Sequence, residues 1–137
     1  MATKIFVNLP VKDLNKSIEF FTQLGYAFNP QFTDASGTCM IVSEDIFVML
    51  LTEEKFKMFT KKDLVDATKG TEVILCLSAE SREHVDEIVN KAIAAGGSAP
   101  NDKQDYGFMY GHGYQDLDGH LWEVVWMDPA GPPTASE

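Results

Sequence analysis

The chain has 137 residues, of which 45% are hydrophobic and 23% are charged, as in an ordinary globular protein of one domain. Its 11 lysines and arginines stand against 21 aspartates and glutamates, which gives a formal net charge of -10. Nucleic acids and anionic membrane surfaces require basic patches, so this charge argues against both as partners. The acidic residues are scattered, and solubility is the simpler explanation for them.

The cysteines and the N-terminal residues bear on whether the protein is cytoplasmic or secreted. Cys39 and Cys76 lie in apolar, strand-like runs with no CxxC motif, which favours reduced structural thiols. The sequence enters its first strand directly after Lys4, so we expect no signal peptide. No apolar run approaches the ~20 residues of a membrane helix. We therefore expect a cytoplasmic protein.

The first half is predicted to form one strand, one helix and three further strands. Asp13 is a helix-capping residue, and Gly25 is placed to end the helix. The expected elements are a strand at 5–9 stopped by Pro10, a helix between Asp13 and Gly25, and strands at 26–32, 38–42 and 46–51.

The second half repeats this order after a polar connector at 52–69, in which we expect a short helix at about 54–59. Ser81 can cap the second helix, and Gly96 and Gly97 can end it. The expected strands are 71–77, 98–105, 108–115 and 120–127, with a mobile tail at 128–137. The prediction is a single domain over 1–137 with modules at 4–51 and 70–127.

The repeat is one of pattern rather than of letters. It predicts an α+β fold of two βαβββ modules whose mixed sheets curl around a shared cleft. The helices would cover one face of each sheet, and the other faces would line the cleft. Such a concave site is the usual place for a small ligand.

Three segments carry a resemblance to a known group: Asn8–Leu14 with Ser17–Phe21, Leu24-Gly25-Tyr26, and Asp116–Gly119 running into Glu123. Through them the chain resembles the vicinal oxygen chelate superfamily of glyoxalase I, bleomycin-resistance proteins, fosfomycin-resistance enzymes and extradiol dioxygenases. The similarity extends to Asp128 and is greatest to a bacterial glyoxalase-like branch. It implies the fold above and a homodimer, whereas the fold itself hosts several activities.

The resemblance also implies four metal-ligand positions, which fall here at Phe6, Met49, Glu72 and Glu123. Phe6 cannot coordinate a metal, and the Met49 thioether suits the relevant divalent ions poorly. Only Glu72 and Glu123 are candidate ligands, and two carboxylates without histidine make a weak zinc, nickel or iron site. We predict no cofactor, with magnesium or manganese on the two carboxylates as the alternative.

The alternation of side chains along strands predicts which residues line the cleft. The candidate ligand-binding residues from this parity are Phe6, Asn8, Phe47, Met49 and Glu72. In the last strand, Trp122, Val124 and Trp126 should face the helix, which leaves Glu123 on the cleft side. A lone carboxylate in so apolar a strand is costly unless it meets water, a partner or a ligand. A tyrosine hydroxyl or water is the structural alternative for Glu123, and simple solvation is the alternative for Glu72.

The last hairpin suggests a catalytic pair. If residues 116–119 form a four-residue loop, Gln115 pairs with His120 and His112 lies opposite Glu123. Tyr110 and Tyr114 would share that face as ligand-binding residues. His112 beside Glu123 could act in acid/base catalysis. Alternatively His112 is structural, because a one-residue shift of the register turns it to the other face.

Two functions follow. The first is a small-molecule-binding protein that needs no metal, analogous to the bleomycin-resistance proteins. The alternative is a glyoxalase-type, lactoylglutathione lyase-like enzyme in which a cleft carboxylate is the base, with or without a divalent metal. An interaction module without a small ligand is a third hypothesis that no particular residue supports.

Overall fold

A computed structural model describes residues 3–132. Within that range the fold is α+β, with two four-stranded mixed sheets and three α-helices arranged as two βαβββ modules. The chain divides into two compact units, the first ending at Asp66 and the second beginning at Ala67. The structure confirms the prediction of an α+β fold built from two βαβββ modules with mixed sheets.

The first unit contains β1 (Ile5–Val11), α1 (Leu14–Gln23), β2 (Ala27–Asp34), β3 (Gly37–Ser43), β4 (Ile46–Thr52), α2 (Glu53–Phe56) and a 3-10 turn (Lys57–Phe59). The strand order is β1-β4-β3-β2, and β1 runs parallel to β4 while the other pairs are antiparallel. The short helix expected in the connector is thus present.

Local signals define α1 as predicted. The Asp13 side chain accepts a hydrogen bond from the Lys16 amide at 3.1 Å, and Gly25 adopts a positive φ of 105° after the helix. The buried residues of this unit come from α1 and from the sheet: Leu9, Val11, Leu14, Ser17, Phe20, Phe21, Leu24, Thr38, Cys39, Met40, Val48, Leu50 and Leu51. Most of them belong to one sheet face and the apolar side of α1.

The prediction that Pro10 ends the first strand is wrong, because β1 continues to Val11. Pro10 pairs with Leu51 of β4. β1 is an edge strand, so no strand on its other side requires a hydrogen bond from the amide hydrogen that proline lacks.

The second unit contains β5 (Ile74–Ser78), α3 (Arg82–Ala94), β6 (Gln104–Asp105), β7 (Met109–Gln115) and β8 (Leu121–Met127). The order is β5-β8-β7-β6, again with a parallel first pair and antiparallel others. Ser81 caps α3 by accepting a hydrogen bond from the His84 amide at 3.0 Å. Beneath α3 lie the fully buried Trp122 and Val124, as predicted.

Two predicted strands of this unit are shorter in the structure. The strand expected at 71–77 begins only at Ile74, so Glu72 lies before it as an exposed residue and the parity prediction does not apply to Glu72. The strand expected at 98–105 is reduced to a bridge between Ser98 and Gln115 and to the two residues of β6. Half of the expected mobile tail, residues 133–137, lies outside the described residues.

Within residues 3–132 no helix combines the length and the hydropathy needed to cross a membrane.

Candidate functional site

The turn before β8 is organised by one buried carboxylate. Asp116 is 6% exposed, and its Oδ1 accepts hydrogen bonds from the amides of Asp118 at 2.9 Å and His120 at 3.0 Å. Its Oδ2 accepts one from Trp122 Nε1 at 3.0 Å. Burial raises the pKa of Asp116, while the charge of His120 and these hydrogen bonds act in the opposite direction.

This network makes the turn one residue longer than predicted. The Asp116 amide donates to the His120 carbonyl, so residues 116–120 form the loop and Gln115 pairs with Leu121. The predicted register of the hairpin is therefore wrong by one residue: Gly113 lies opposite Glu123, and His112 lies opposite Val124. A one-residue shift moves every β7 side chain to the other sheet face.

His112, Tyr110 and Tyr114 accordingly lie on the face covered by α3 and not with Glu123. The Tyr110 hydroxyl donates to Asp86 Oδ1 of α3 at 2.6 Å, and Tyr114 stacks on Trp122 with ring centroids 6.1 Å apart. His112 Nε2 lies 3.0 Å from the Asn101 carbonyl oxygen. The predicted acid/base pair of His112 and Glu123 is thus not formed.

The side of the second sheet away from α3, which we call the second open face, carries the remaining candidates. Its residues are Ile74, Cys76, Ser78, Gln104, Met109, Gly111, Gly113, Gln115, Leu121, Glu123, Val125 and Met127. Glu123 is exposed on this face, as the parity of its strand predicts. Its neighbours are largely apolar, and Ile74 and Met127 are 51% and 53% exposed.

Cys76 is the residue beside Glu123, because the two are in register on the parallel strands β5 and β8. Desolvation raises the pKa of the Cys76 thiol, and the charge of Glu123 raises it further. The thiol therefore stays protonated at neutral pH. A protonated thiol next to a carboxylate offers one weak hydrogen-bond donor and one strong acceptor to a ligand.

Glycines in β7 leave space on the other side of Glu123. A Cβ atom at Gly113 would lie 2.9 Å from the Trp122 carbonyl oxygen and 3.4 Å from Glu123 Cγ. A Cβ at Gly111 would lie 3.3 Å from Val125 Cγ2. Both glycines therefore serve the close approach of strands, and Gly113 leaves Glu123 without a side chain opposite it on β7.

The first sheet also has a side away from α1, which we call the first open face. Phe6, Asn8, Phe47 and Met49 share it, as predicted from strand parity. The rings of Phe6 and Phe47 stack with centroids 4.9 Å apart, and Phe6 is 52% exposed. This pair is an exposed aromatic surface suited to a flat apolar group.

The two units are equivalent position by position. In the first unit Asn8 is in register with Met49, and in the second unit Cys76 is in register with Glu123. Asn8 precedes the helix cap Asp13 by the same number of residues as Cys76 precedes the helix cap Ser81. Of the four positions implied by the resemblance, Phe6 pairs with Phe47 and Glu72 lies before β5, whereas the in-register neighbours of Met49 and Glu123 are Asn8 and Cys76. The cap spacing is the sequence signal that identifies them.

The donor atoms at these four positions do not fit a metal centre of the glyoxalase kind. They are an amide, a thioether, a thiol and a carboxylate, with no imidazole among them. Residues 3–132 contain no group of three or more histidines, cysteines, aspartates or glutamates close enough to hold a metal ion. The chemistry of the second open face is therefore that of the Glu123 carboxylate and the Cys76 thiol.

This architecture defines a class of protein: tandem βαβββ units, each with one helix-covered and one open sheet face. Residues 3–43 match the sequence family described as bleomycin resistance protein-like N-terminal. The chain is 30% identical to the hypothetical protein SA1046 of Staphylococcus aureus, with a TM-score of 0.77 over 92% of this chain and 95% of that one. No curated protein sequence matches significantly.

Two further solved structures show the same fold at lower identity. A glyoxalase-related enzyme of Fulvimarina pelagi has a TM-score of 0.79 at 18% identity, covering 98% of this chain and 94% of that one. The fosfomycin resistance protein FosX of Listeria monocytogenes has a TM-score of 0.68 at 18% identity, covering 95% and 97%. The fold of the chain is thus that of solved structures described as glyoxalase/bleomycin resistance protein/dioxygenase family proteins, consistent with the resemblance to the vicinal oxygen chelate superfamily.

Proposed function

We propose that this protein binds a small organic molecule on its second open face, with Glu123 as the polar anchor and without a metal ion. The observation that carries the proposal is the carboxylate itself. It is exposed in an apolar strand, and it has no hydrogen bond or ion pair within residues 3–132. A few polar groups on an apolar surface are what small-molecule sites contain.

The charge of Glu123 selects the chemistry of the ligand. A carboxylate accepts hydrogen bonds and attracts cations, so an amine, an amidine or a neutral donor fits it and an anion does not. The net charge of -10 favours cationic ligands over the whole molecule as well. The stacked Phe6 and Phe47 are proposed as a ligand-contacting surface of the first unit in their own right. The likeness of residues 3–43 to bleomycin-resistance proteins supports a binding role.

A thermal-shift screen of cationic and neutral aromatic compounds tests the proposal. A hit should raise the melting temperature of the wild-type protein and of Glu72→Gln, whose carboxylate lies outside β5. The same compound should have no effect on Glu123→Gln. If the compound raised the melting temperature of all three proteins equally, or failed to raise it in Glu72→Gln alone, the ligand would bind elsewhere and the proposed role of Glu123 would be refuted.

A second function is favoured by the same free carboxylate. Glu123 could remove a proton from a carbon next to a carbonyl and return it to the neighbouring carbon, which is the isomerisation performed by glyoxalase-type lyases. Methylglyoxal–thiol adducts are the test substrates, with nickel, zinc or manganese added in separate assays. No rate above that of Glu123→Gln in any assay would eliminate this function.

Assembly and compartment are proposed from the resemblance and the composition. We propose a cytoplasmic homodimer, for which light scattering after size-exclusion chromatography should give twice the mass of one chain. A monomer over a broad range of concentrations would contradict the dimer.

A further inference from the structure

Part of the connector in the first unit is positively charged, in contrast to the net negative charge of the chain. Lys55, Lys57, Lys61 and Lys62 fall within eight consecutive positions that contain no acidic residue. These are four of only 11 basic residues in a chain with a net charge of -10. We call residues 55–62 the lysine segment.

The lysine segment borders an open depression of about 530 Å³. Lys57 contributes from the 3-10 turn after α2, and Lys61 and Lys62 contribute from the loop that follows it. Thr60, Glu53 and Asp63 also line the depression. Its volume is that of a typical small-ligand site.

The three lysines of the depression are unpaired. Within residues 3–132 their ammonium groups have no ion pair and no hydrogen bond, although Glu53 and Asp63 line the same depression. Three other lysines of the chain do find a carboxylate: Lys4, Lys91 and Lys103 pair at 3.3, 2.9 and 3.2 Å. Neighbouring ammonium groups repel one another, so an anion between them relieves the repulsion and gains charge-assisted hydrogen bonds.

Thr60 adds a neutral donor to this set. Its Oγ1 accepts a hydrogen bond from the Lys62 amide at 3.1 Å, which leaves the hydroxyl hydrogen free to point elsewhere. Three ammonium groups outnumber the two carboxylates of Glu53 and Asp63 around the depression, and together with the hydroxyl they match the several acceptor oxygens of a multiply charged oxyanion. One negative charge would not engage all of them.

We propose that this depression is a second binding site, distinct from the second open face, for a small anion that carries phosphate or several carboxylate groups. The site recognises charge through lysines, so binding weakens as salt is added. It does not depend on the function proposed for Glu123, since the two faces prefer ligands of opposite charge.

Calorimetric titration of the full chain with pyrophosphate and with citrate, at low ionic strength, tests the site. Lys61→Gln/Lys62→Gln should bind about tenfold more weakly than the wild-type protein or worse. The matched control Lys12→Gln/Lys16→Gln removes two exposed lysines of the same unit outside the depression and should bind as the wild type does. Binding of pyrophosphate alone would assign phosphate ligands, and binding of citrate alone would assign polycarboxylates.

Two results would overturn the site. One is the absence of measurable binding of either anion to the wild-type protein. The other is equal weakening in the two double variants, which would show general attraction to surface charge. Lys57→Gln provides a further variant from the 3-10 turn that lines the depression and should also weaken binding, while Glu123→Gln should leave it unchanged.

Discussion

Cys76 and Glu123 lie side by side in register on the parallel strands β5 and β8. The negative charge of Glu123 adds to desolvation in holding the pKa of the Cys76 thiol above its ordinary value. The pKa of the Cys76 thiol therefore depends on the charge of the carboxylate that we propose as the ligand anchor. The pair lies on the same sheet face because residues in register on neighbouring strands point the same way.

The first prediction uses this dependence of the Cys76 pKa on the charge of Glu123. Glu123→Gln removes the charge and should lower the pKa of Cys76, so alkylation of the thiol by iodoacetamide should become fast at lower pH. Mass spectrometry separates Cys76 from the buried Cys39. Glu80→Gln, which removes an exposed carboxylate of the same unit, should leave the profile unchanged. An unaltered profile in Glu123→Gln would show that the two residues are not adjacent.

The second prediction concerns the turn before β8. Asp116→Ala leaves the buried Trp122 Nε1 hydrogen and two turn amides without their acceptor. Unsatisfied buried donors cost about 1–3 kcal/mol each, so the free energy of unfolding should fall by roughly 3 kcal/mol or more. Urea denaturation measures it, with the exposed Asp102→Ala as control. Equal midpoints for the two variants would contradict the role of Asp116.

The third prediction concerns pH and the face beneath α3. The hydrogen bond from Tyr110, and to a smaller extent the ion pair with Lys103 at 3.2 Å, hold the pKa of Asp86 below its ordinary value of 3.8. A lowered pKa stabilises the folded protein above the ordinary value, and this contribution is lost as the pH falls through the folded value. Tyr110→Phe should raise the pKa of Asp86.

Carboxyl NMR titration of Asp86 measures that change directly. The stability difference between the wild-type protein and Tyr110→Phe should be largest near neutral pH and should shrink in acid below the ordinary value. A difference that grows on acidification would have the wrong sign for this hydrogen bond and would refute it.

The fourth prediction concerns the close strands next to Glu123. Gly113→Ala places a Cβ 2.9 Å from the Trp122 carbonyl oxygen, and overpacking of this kind costs about 1–3 kcal/mol. Gly70→Ala meets no atom within 4 Å and should be neutral or slightly stabilising. Thermal unfolding compares the two. A neutral Gly113→Ala would show that β7 and β8 can separate at this pair.

The order of the elements and the face of most strand residues follow from local signals in the amino-acid sequence. Helix caps at Asp13 and Ser81 and the glycines after each helix are such signals, so they were predictable and are confirmed. The alternation of side chains placed Glu123 opposite Trp122 for the same reason, because its period of two residues depends on the backbone alone.

The residues that accompany Glu123, in contrast, depend on packing between distant elements. The register of β7 depends on the length of the turn, and that length follows from Asp116, whose carboxylate binds turn amides and the indole of Trp122 together. Trp122 is buried under α3, so the acceptor and the donor meet only when helix and sheet pack. A turn whose length depends on burial has no local signal, and for that reason the sequence predicts His112 opposite Glu123, whereas Gly113 is the β7 residue opposite it in the fold.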